Sequence, residues 1–142
     1  NKNFGFIHQF HHLIPELTSV ENVIMPLLIS GFSYKESFKK AESLLVEFGL
    51  KEKINLKSKY LSGGEQQRVS ISRAMINNPE IIIADEMTGN LDEKRSNLIF
   101  DFFVEKAFEK KQTIIFVTHN IQLAKKAKTK YELENGQLNK YN

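Results

Sequence analysis

The sequence predicts an α/β fold built on a parallel sheet, with a helical segment inserted ahead of the central strands. Short apolar runs at residues 81–84 and 113–117 are typical of strands that are buried on both faces. A helical segment that begins at Asp92 separates these two runs, and a crossover of this length makes the strands parallel. Two well-marked helices between residues 33 and 78 predict the helical segment.

The first half of the chain is predicted to hold one strand and two helices. An apolar cluster at residues 4–7 predicts the strand, and residues 20–29 predict a helix that Pro26 interrupts. Ser33 opens a capping box that starts the next helix. That helix ends at Gly49, where a C-terminal cap is expected.

A further helix starts at Ser62, which has capping-box spacing to Glu65. Side chains at helical spacing along it are expected to be buried on one face: Val69, Ser72 and Met75. The helix ends ahead of Pro79, because proline cannot continue it.

Asp92 is predicted to cap a helix that runs to about residue 110. Its buried candidates are Leu98, Phe102 and Ala107. A short helix at residues 121–127 is expected after the last sheet strand. Asn135 and Gly136 then predict a tight turn between two strands of a hairpin.

Composition excludes several classes of protein. The chain has 142 residues, about one domain, and a net charge of +3 with its basic residues scattered, which is no nucleic-acid footprint. Cysteine is absent, so disulfides and thiolate metal sites are excluded. No apolar run approaches the ~18 residues that a membrane-spanning helix needs.

Two adjacent acids, Asp85 and Glu86, follow the predicted strand at residues 81–84. The carboxyl ends of parallel strands form the edge at which α/β sheets bind ligands. Consecutive strand residues point in opposite directions, so one acid can hold Mg²⁺ through water while the other orients an attacking water. The pair also fits the solvated end of an ordinary strand, and these two residues alone leave both interpretations open.

Two glycines, Gly63 and Gly64, directly follow Ser62 in the first turn of a helix. Each costs roughly 1 kcal/mol relative to alanine, which indicates that a bare backbone is needed there. Exposed N–H groups at a helix start bind anions, and the Ser62 hydroxyl adds another donor. An ordinary serine-capped turn is the alternative.

Two more polar residues follow predicted strands. His119 comes shortly after residues 113–117 and can donate to a phosphate near Glu86 if the strands are neighbours. Gln9 comes shortly after residues 4–7, and its amide can reach a metal or a water. Each residue is weak evidence by itself, and their order along the chain carries the inference.

This order resembles that of the ATP-binding subunits of ABC transporters, over essentially the whole chain. Ser62 lies 53 residues after Gln9, and Asp85 lies 23 residues after Ser62. His119 lies 33 residues after Glu86. The resemblance assigns Gln9 to the Q-loop, residues 61–66 with Glu65 and Gln66 to the signature motif, residues 81–86 to the Walker B strand, Asn90, Leu91 and Asp92 to the D-loop, and His119 to the switch histidine.

The resemblance also specifies the fold class. It implies the C-terminal part of a P-loop, RecA-like ABC ATPase with a parallel sheet and an inserted α-helical subdomain. Residues 1–12 and 78–142 would belong to the nucleotide-binding core, and residues 13–77 to the helical subdomain that carries the signature motif.

The resemblance implies roles on the hydrolytic side of the site. Glu86 would act as the general base or position the attacking water, and His119 would contact the γ-phosphate. Asp85 would hold Mg²⁺ through water. Gln9 would sense metal and water and link the site to the membrane subunits. The implied cofactors are ATP and Mg²⁺.

The resemblance implies partners as well. In a homodimer, the signature residues of one copy contact ATP bound to the other: Ser62, Gly63, Gly64, Glu65 and Gln66. Asp92 would lie at the dimer interface. Two transmembrane permease subunits would complete the assembly, and we expect Phe10, His11 and Leu13 at their contact. Membrane association would occur only through the permease, with no nucleic acid involved.

One family element has no counterpart, because no G-x-x-x-x-G-K-[ST] phosphate loop occurs in the sequence. The family places that loop upstream of the Q-loop, and the chain starts with Asn1 rather than Met. We therefore expect an N-terminally truncated chain that is inactive alone. Two residues depart from the family pattern: Met87 replaces a usual proline, and Asn120 replaces a usual aspartate.

The resemblance is closest to the ATPases of bacterial lipoprotein-releasing systems, and the run Gln9 to His12 is its discriminating part. It implies an ATPase at the cytoplasmic face of the inner membrane that powers lipoprotein release toward the outer membrane. A related export or cell-division ABC system is the alternative. A chromosome-maintenance or repair ATPase head fits less well, because no heptads separate Gln9 from Ser62. A metal site at the adjacent histidines is a further, weaker alternative.

Overall fold

The structure is a computed structural model, and it describes residues 3–89 and 91–141. Asn1, Lys2 and Asn142, predicted as part of the core, and Asn90, predicted in the D-loop, lie outside the described residues. The elements in chain order are β1 (Phe4–Ile7), α1 (Ser19–Ile29), α2 (Tyr34–Glu47), α3 (Gly63–Met75), β2 (Ile81–Asp85), α4 (Glu93–Glu109), β3 (Thr113–Val117), α5 (Ile121–Ala124), β4 (Lys130–Glu134) and β5 (Gln137–Tyr141), with short 3₁₀ turns at Lys51–Lys53 and Ser58–Tyr60.

Strands β1, β2 and β3 form a parallel sheet in that order, which confirms the predicted fold class. Phe4 pairs with Ile81, and Ile81 pairs with Thr113. Because β2 is central, the residues at its carboxyl end lie between the ends of β1 and β3. Gln9 and His119 each follow one of these flanking strands by two residues.

The helices cover one face of the sheet. Ile82 and Ala84 of β2 are fully buried on this face. The backbone of Gly5 in β1 lies so close to α3 that a Cβ there would collide with the carbonyl oxygen of Ala74. From α4, the ring of Phe100 meets that of Phe116 in β3 edge-on at 5.0 Å between centroids.

The opposite face of the sheet is apolar and open. Phe6 is 50% exposed, Ile115 is 53% exposed and Val117 is 61% exposed. The register places these side chains in rows on the same face. Parallel sheets normally have both faces covered, so this face is an unpartnered apolar surface within the described chain.

Most predicted helix ends are confirmed. Ser33 and Ser62 each form a capping box, and Asp92 caps α4. Gly49 follows α2 with a φ of 69°, a left-handed conformation that favours glycine. Thr18 forms a third capping box, at the start of α1, that the sequence analysis missed.

The predicted interruption at Pro26 is wrong, because α1 runs through it to Ile29. Proline has no N–H, so the helix lacks the one bond that residue 26 would donate to the carbonyl of Asn22, and it continues without that bond. The Ser30 hydroxyl and N–H both donate to the Pro26 carbonyl oxygen, at 2.8 and 3.1 Å. These bonds close the helix end.

Burial within the helices is partly as predicted. Val69, Ser72 and Met75 are buried on α3, as expected. On α4, Ala107 is buried, whereas Leu98 is 63% exposed and its predicted burial is wrong. Phe102 is only partly buried against the core. The other buried residues of α4 are Ser96, Ile99, Phe100 and Phe103.

The chain ends as predicted in an antiparallel hairpin of β4 and β5. Asn135 and Gly136 have φ values of 49° and 78°, the signs that a two-residue turn of this kind requires. Helix α5 is shorter than predicted and ends at Ala124.

One hydrophobic cluster joins the sheet to α1, α2 and α3. The predicted division of the chain into a core and a helical subdomain therefore runs through a shared set of buried side chains. No helix in the described part of the chain has both the length and the apolar character to cross a membrane.

Candidate functional site

The two predicted acids lie at the carboxyl end of the central strand. Asp85 is the last residue of β2 and pairs with Val117 of β3. The N–H of Glu86 donates to the Val117 carbonyl oxygen at 3.0 Å, which continues the ladder by one bond. Glu86 has a φ of 44°, a conformation uncommon for a non-glycine residue, so the chain turns sharply here.

Glu86 and His119 are brought together, as the sequence predicts. The His119 N–H donates to Glu86 Oε1 at 2.8 Å, and His119 Nδ1 lies 2.8 Å from the same oxygen. A proton on Nδ1 makes this second contact a hydrogen bond. The Glu86 side chain is only 20% exposed, whereas that of His119 is 79% exposed. One carboxylate oxygen is thus fixed by the protein.

Gln9 packs on the turn that follows Glu86. The N–H of Gly89 donates to the Glu86 carbonyl oxygen at 2.9 Å and closes this turn. A Cβ on Gly89 would lie 3.2 Å from Gln9 Nε2 and 3.3 Å from the Glu86 carbonyl oxygen. Glycine at this position therefore lets the Gln9 amide lie directly against the turn.

Asp85 differs from Glu86 in being exposed at the sheet edge. In the described residues, no three His, Cys, Asp or Glu side chains form a group that would hold a metal ion by themselves. One exposed carboxylate suits Mg²⁺, which keeps several waters and is bound through one or two carboxylates together with substrate phosphates. Asp85 therefore fits a magnesium ion that arrives with a nucleotide.

Ser62 begins α3 with its hydrogen-bonding groups turned to Glu65. The Ser62 N–H and hydroxyl both donate to Glu65 Oε2 at 2.8 Å. The N–H bond from Ser62 is the largest cause that lowers the pKa of Glu65, and its hydroxyl and nearby Lys53 act in the same direction. Glu65 is thus an ionised cap of the helix.

Packing within the described chain does not require glycine at the two positions after Ser62. The nearest atom to a Cβ on Gly63 would be Leu91 Cδ2 at 3.9 Å, and for Gly64 it would be Ile99 Cδ1 at 3.7 Å. Both distances are ordinary van der Waals contacts, so alanine fits at either position. The helix-propensity cost of these glycines is therefore not explained by the fold.

Gln66 and Asp92 both have structural partners. Gln66 Nε2 donates to the carbonyl oxygens of Ser58 and Leu61, at 3.1 and 3.2 Å. Asp92 accepts from the N–H of Arg95 at 3.0 Å and forms an ion pair with its side chain at 3.3 Å. These contacts fix the surroundings of residues 62–64.

The profile of the ABC transporter family matches residues 1–89, which is more than half of the chain. The chain belongs to the ABC transporter family. Among its curated relatives is the lipoprotein-releasing system ATP-binding protein LolD of Wigglesworthia glossinidia brevipalpis, 51% identical over all 142 residues of this chain and 62% of that protein. The LolD proteins of Rickettsia bellii and Idiomarina loihiensis are 50% and 45% identical, over 95% and 99% of this chain and 61% of each relative.

This ABC chain thus spans 61–62% of the length of these curated relatives. Solved structures agree in fold. A dimeric structure of the ATP-binding cassette MJ0796 in a post-hydrolysis state, bound to ADP and Pi, is 37% identical with a TM-score of 0.82, over 97% of this chain and 62% of that one. A second dimeric structure of MJ0796 is 38% identical with a TM-score of 0.83, over 96% and 60% of the two chains.

The site residues of this ABC chain fall into two groups. Gln9, Glu86 and His119 are gathered at the sheet edge with Asp85 beside them. The glycine turn at residues 62–64 forms the second group. Among the described residues, no hydrogen bond or ion pair joins that turn to Glu86 or His119.

The structure also defines the surroundings of the two departures from the family pattern. Asn120 caps α5, because its Oδ1 accepts from the N–H groups of Gln122 and Leu123 at 2.9 and 3.3 Å. Asparagine and aspartate both serve as such caps, so the backbone beside His119 is held. Met87 is buried in the core, next to Glu86.

The three residues expected at a permease contact differ in exposure. Phe10 is 66% exposed, whereas His11 is half-buried. Leu13 is partly buried against the core. Sequence reasoning missed Arg73, which donates to the carbonyl oxygens of His11 and His12, because the pattern offers no signal beyond an arginine near a helix end.

Proposed function

We propose that the whole protein is the ATP-hydrolysing subunit of an ABC transporter. The observation that carries this proposal is the fixed carboxylate of Glu86 at the sheet edge, held by His119 and flanked by Gln9. Hydrolysis of a phosphoanhydride requires positioning and charge stabilisation more than covalent chemistry, and this arrangement supplies both.

Each residue has a distinct part in this proposal. Glu86 accepts a hydrogen bond from the attacking water through its other oxygen and orients it. His119 keeps the carboxylate aimed and presents its exposed ring to the γ-phosphate. Asp85 and Gln9 would hold Mg²⁺, which neutralises phosphate charge when it is bound.

The glycine turn belongs to the second half of a split site. The N–H groups of Gly63 and Gly64, with the Ser62 hydroxyl, are suited to a phosphate, since no side chain blocks their approach. Within the part of the chain that the structure describes, the turn has no hydrogen bond or ion pair with Glu86, which favours contact with ATP on a second copy. Glu65 and Gln66 support this turn, and Asp92 lies beside the proposed homodimer interface. The two MJ0796 structures, which are dimeric, support this assembly.

We propose lipoprotein release from the bacterial inner membrane as the transport step. The support is the agreement of curated relatives, which are named as lipoprotein-releasing system ATP-binding proteins. Two transmembrane permease subunits would bind the ATPase dimer and hold it at the cytoplasmic face of the membrane. Exposed Phe10 is the proposed contact, with His11 and Leu13 beside it.

We also propose the division of labour along the chain. Residues 1–12 and 78–142 would belong to the nucleotide-binding core, and residues 13–77 to the helical subdomain that presents the signature turn. Under this proposal the phosphate loop is supplied by sequence outside these 142 residues, in the remaining length that the curated relatives have.

The test is Glu86→Gln in the full-length protein. Glutamine keeps the shape of the side chain and removes the charge that orients water, so phosphate release should fall about 100-fold or more. ATP binding should persist, and ATP should hold the dimer together in size-exclusion chromatography. Turnover at the wild-type rate would refute the role of Glu86. Thr113→Ser, on an exposed strand position outside the site, is the control.

A further inference from the structure

Arg73, near the end of α3, forms a two-pronged contact with a distant backbone segment. Its Nη1 donates to the His12 carbonyl oxygen at 2.7 Å, and its Nη2 donates to the His11 carbonyl oxygen at 2.8 Å. Burial lowers the pKa of the Arg73 guanidinium, so the charge is partly removed from water. Removing a charge from water costs free energy. The hydrogen bonds to the two carbonyls offset part of that cost, because hydrogen bonds to a charged group are stronger than neutral ones.

The backbone conformation of this segment allows both of these hydrogen bonds. His12 has a φ of 47°, a left-handed conformation that is uncommon outside glycine. The neighbouring carbonyls of His11 and His12 both reach the same guanidinium in this conformation. The segment therefore takes a backbone shape that side-chain contacts must maintain.

A second contact ties the same segment to α3 nearer the helix start. The His11 side chain lies beside those of Gln67 and Gln66. Gln67 is buried. Burial is the main cause that lowers the pKa of His11, so its ring is neutral near pH 7. Helix α3 thus lies against the segment at its second turn and holds it through Arg73 near its end.

At its other end the segment lies against the turn that follows Glu86. Gln9 lies two residues before His11 and packs on Gly89, in the turn closed by the Glu86 carbonyl. We call residues 9–12 the bridging loop. It runs from the turn after Glu86 to α3, the helix whose first residues are Gly63 and Gly64.

We propose that Arg73 is a positioning residue that locks the bridging loop to α3, so that the Glu86 turn and the glycine turn of one chain move together. This inference rests on the proposed function, because it concerns the two halves of that site. Ser62 lies eleven residues before Arg73, about 16 Å along the helix axis, so Arg73 acts on the glycine turn through a rigid helix.

The competing explanation is that Arg73 only fastens the fold. Both explanations predict a loss of activity in Arg73→Met, so a single substitution does not separate them. A double-mutant cycle with Ser62→Ala does, because residues that act through one element are non-additive, whereas an independent structural defect adds. The assay is phosphate release by the full-length protein, corrected for the folded fraction.

If Arg73 acts through the glycine turn, each single variant should lose about 10-fold in kcat, and the double variant should lose far less than the ~100-fold product. ATP binding should change less than about twofold. A fully multiplicative double variant would overturn the proposal. If Arg73→Met does not fold, Arg73→Lys takes its place in the cycle, and failure of both to fold would show that the residue only fastens the structure.

Gln112→Leu is the matched control. Gln112 Nε2 also donates to a distant backbone carbonyl, that of Pro79 at 2.8 Å, at the opposite edge of the sheet. Its removal costs a comparable tertiary bond without touching the bridging loop. Combined with Ser62→Ala, it should give an additive result.

Amide hydrogen exchange separates this inference from the proposed function, because it requires no turnover. In Arg73→Met, exchange should accelerate about 10-fold both in the bridging loop and at residues 62–66, whereas Gln112→Leu should leave both unchanged. Faster exchange in the loop alone would overturn the inference. A wild-type protein that lacks ATP hydrolysis would instead contradict the proposed function and leave the exchange result to decide this one.

Discussion

Replacing Gly64 with alanine should raise the free energy of unfolding and at the same time lower the rate of ATP hydrolysis. A Cβ at this position would have Ile99 Cδ1 as its nearest atom, at 3.7 Å, an ordinary contact. Gly64 lies inside α3 and does not have a positive φ. Alanine can therefore adopt the native conformation, and it restricts the unfolded chain.

The expected gain in the free energy of unfolding is about 0.4–1 kcal/mol, the usual value for a compatible Gly→Ala change. In a chain of about 230 residues, the length of the Wigglesworthia relative of which these 142 residues span 62%, this corresponds to a rise in Tm of about 1–4 °C. The same methyl group stands above N–H groups that we propose to contact the phosphate. We therefore expect ATP-driven dimerisation and kcat to fall by about 10-fold or more.

The assay pairs thermal unfolding with phosphate release on the same preparation of Gly64→Ala. Gly49→Ala is the matched control, because Gly49 has a φ of 69° and alanine is strained there. It should lose about 1 kcal/mol of stability and leave the kcat of the folded fraction unchanged. If Gly64→Ala is as active as the wild type, the glycine turn does not bind phosphate. If it is destabilised, the packing argument is wrong.

Three further predictions concern the isolated chain, the permease contact and the pH dependence of stability. The 142-residue chain produced by itself should show no saturable Mg-ATPase activity, because its sequence has no phosphate loop; measurable turnover would contradict this. Phe10→Ala in the full-length protein should reduce co-purification with the permease without lowering Tm, because its side chain is 66% exposed, and intact assembly would refute the contact. Stability should fall as the pH drops through the acid range below the ordinary Glu pKa of 4.5, because the folded-state pKa of Glu65 is lowered and its ionised capping bonds are lost on protonation. Urea denaturation at several pH values should show a smaller decline for Glu65→Gln, and an equal decline would refute this assignment.

Local signals in the sequence specified most of the elements. Capping boxes at Ser33 and Ser62 are short-range patterns, and the Asn135-Gly136 turn requires only two residues, so each could be predicted without tertiary information. The parallel sheet followed from the apolar runs and the long crossover between them. Pro26 was misjudged because a proline removes a single helical bond, and α1 is also held by the burial of Val20, Val23 and Ile24, which the local pattern does not show.

Tertiary contacts explain what the sequence did not predict. Leu98 and Ile99 are neighbours on α4, and only the orientation of the helix against the sheet decides which of them is buried. The cluster of Gln9, Glu86 and His119 was predictable, because each follows a strand of one parallel sheet. The Arg73 contact was not, because its partners are carbonyls 61 and 62 residues away, and carbonyls carry no sequence identity.

The open apolar face of the sheet affects how the stability of the variants should be measured. Phe6, Ile115 and Val117 are each exposed by half or more. Full burial of such a side chain contributes about 1.5–3 kcal/mol, so covering the exposed parts of all three would add roughly 2–5 kcal/mol. That is a large share of the 5–15 kcal/mol that typically stabilises a domain. A substitution that costs 1 kcal/mol would therefore weigh much more heavily on a chain whose face is open, and the variants must be compared in a protein that has the full length of the curated relatives.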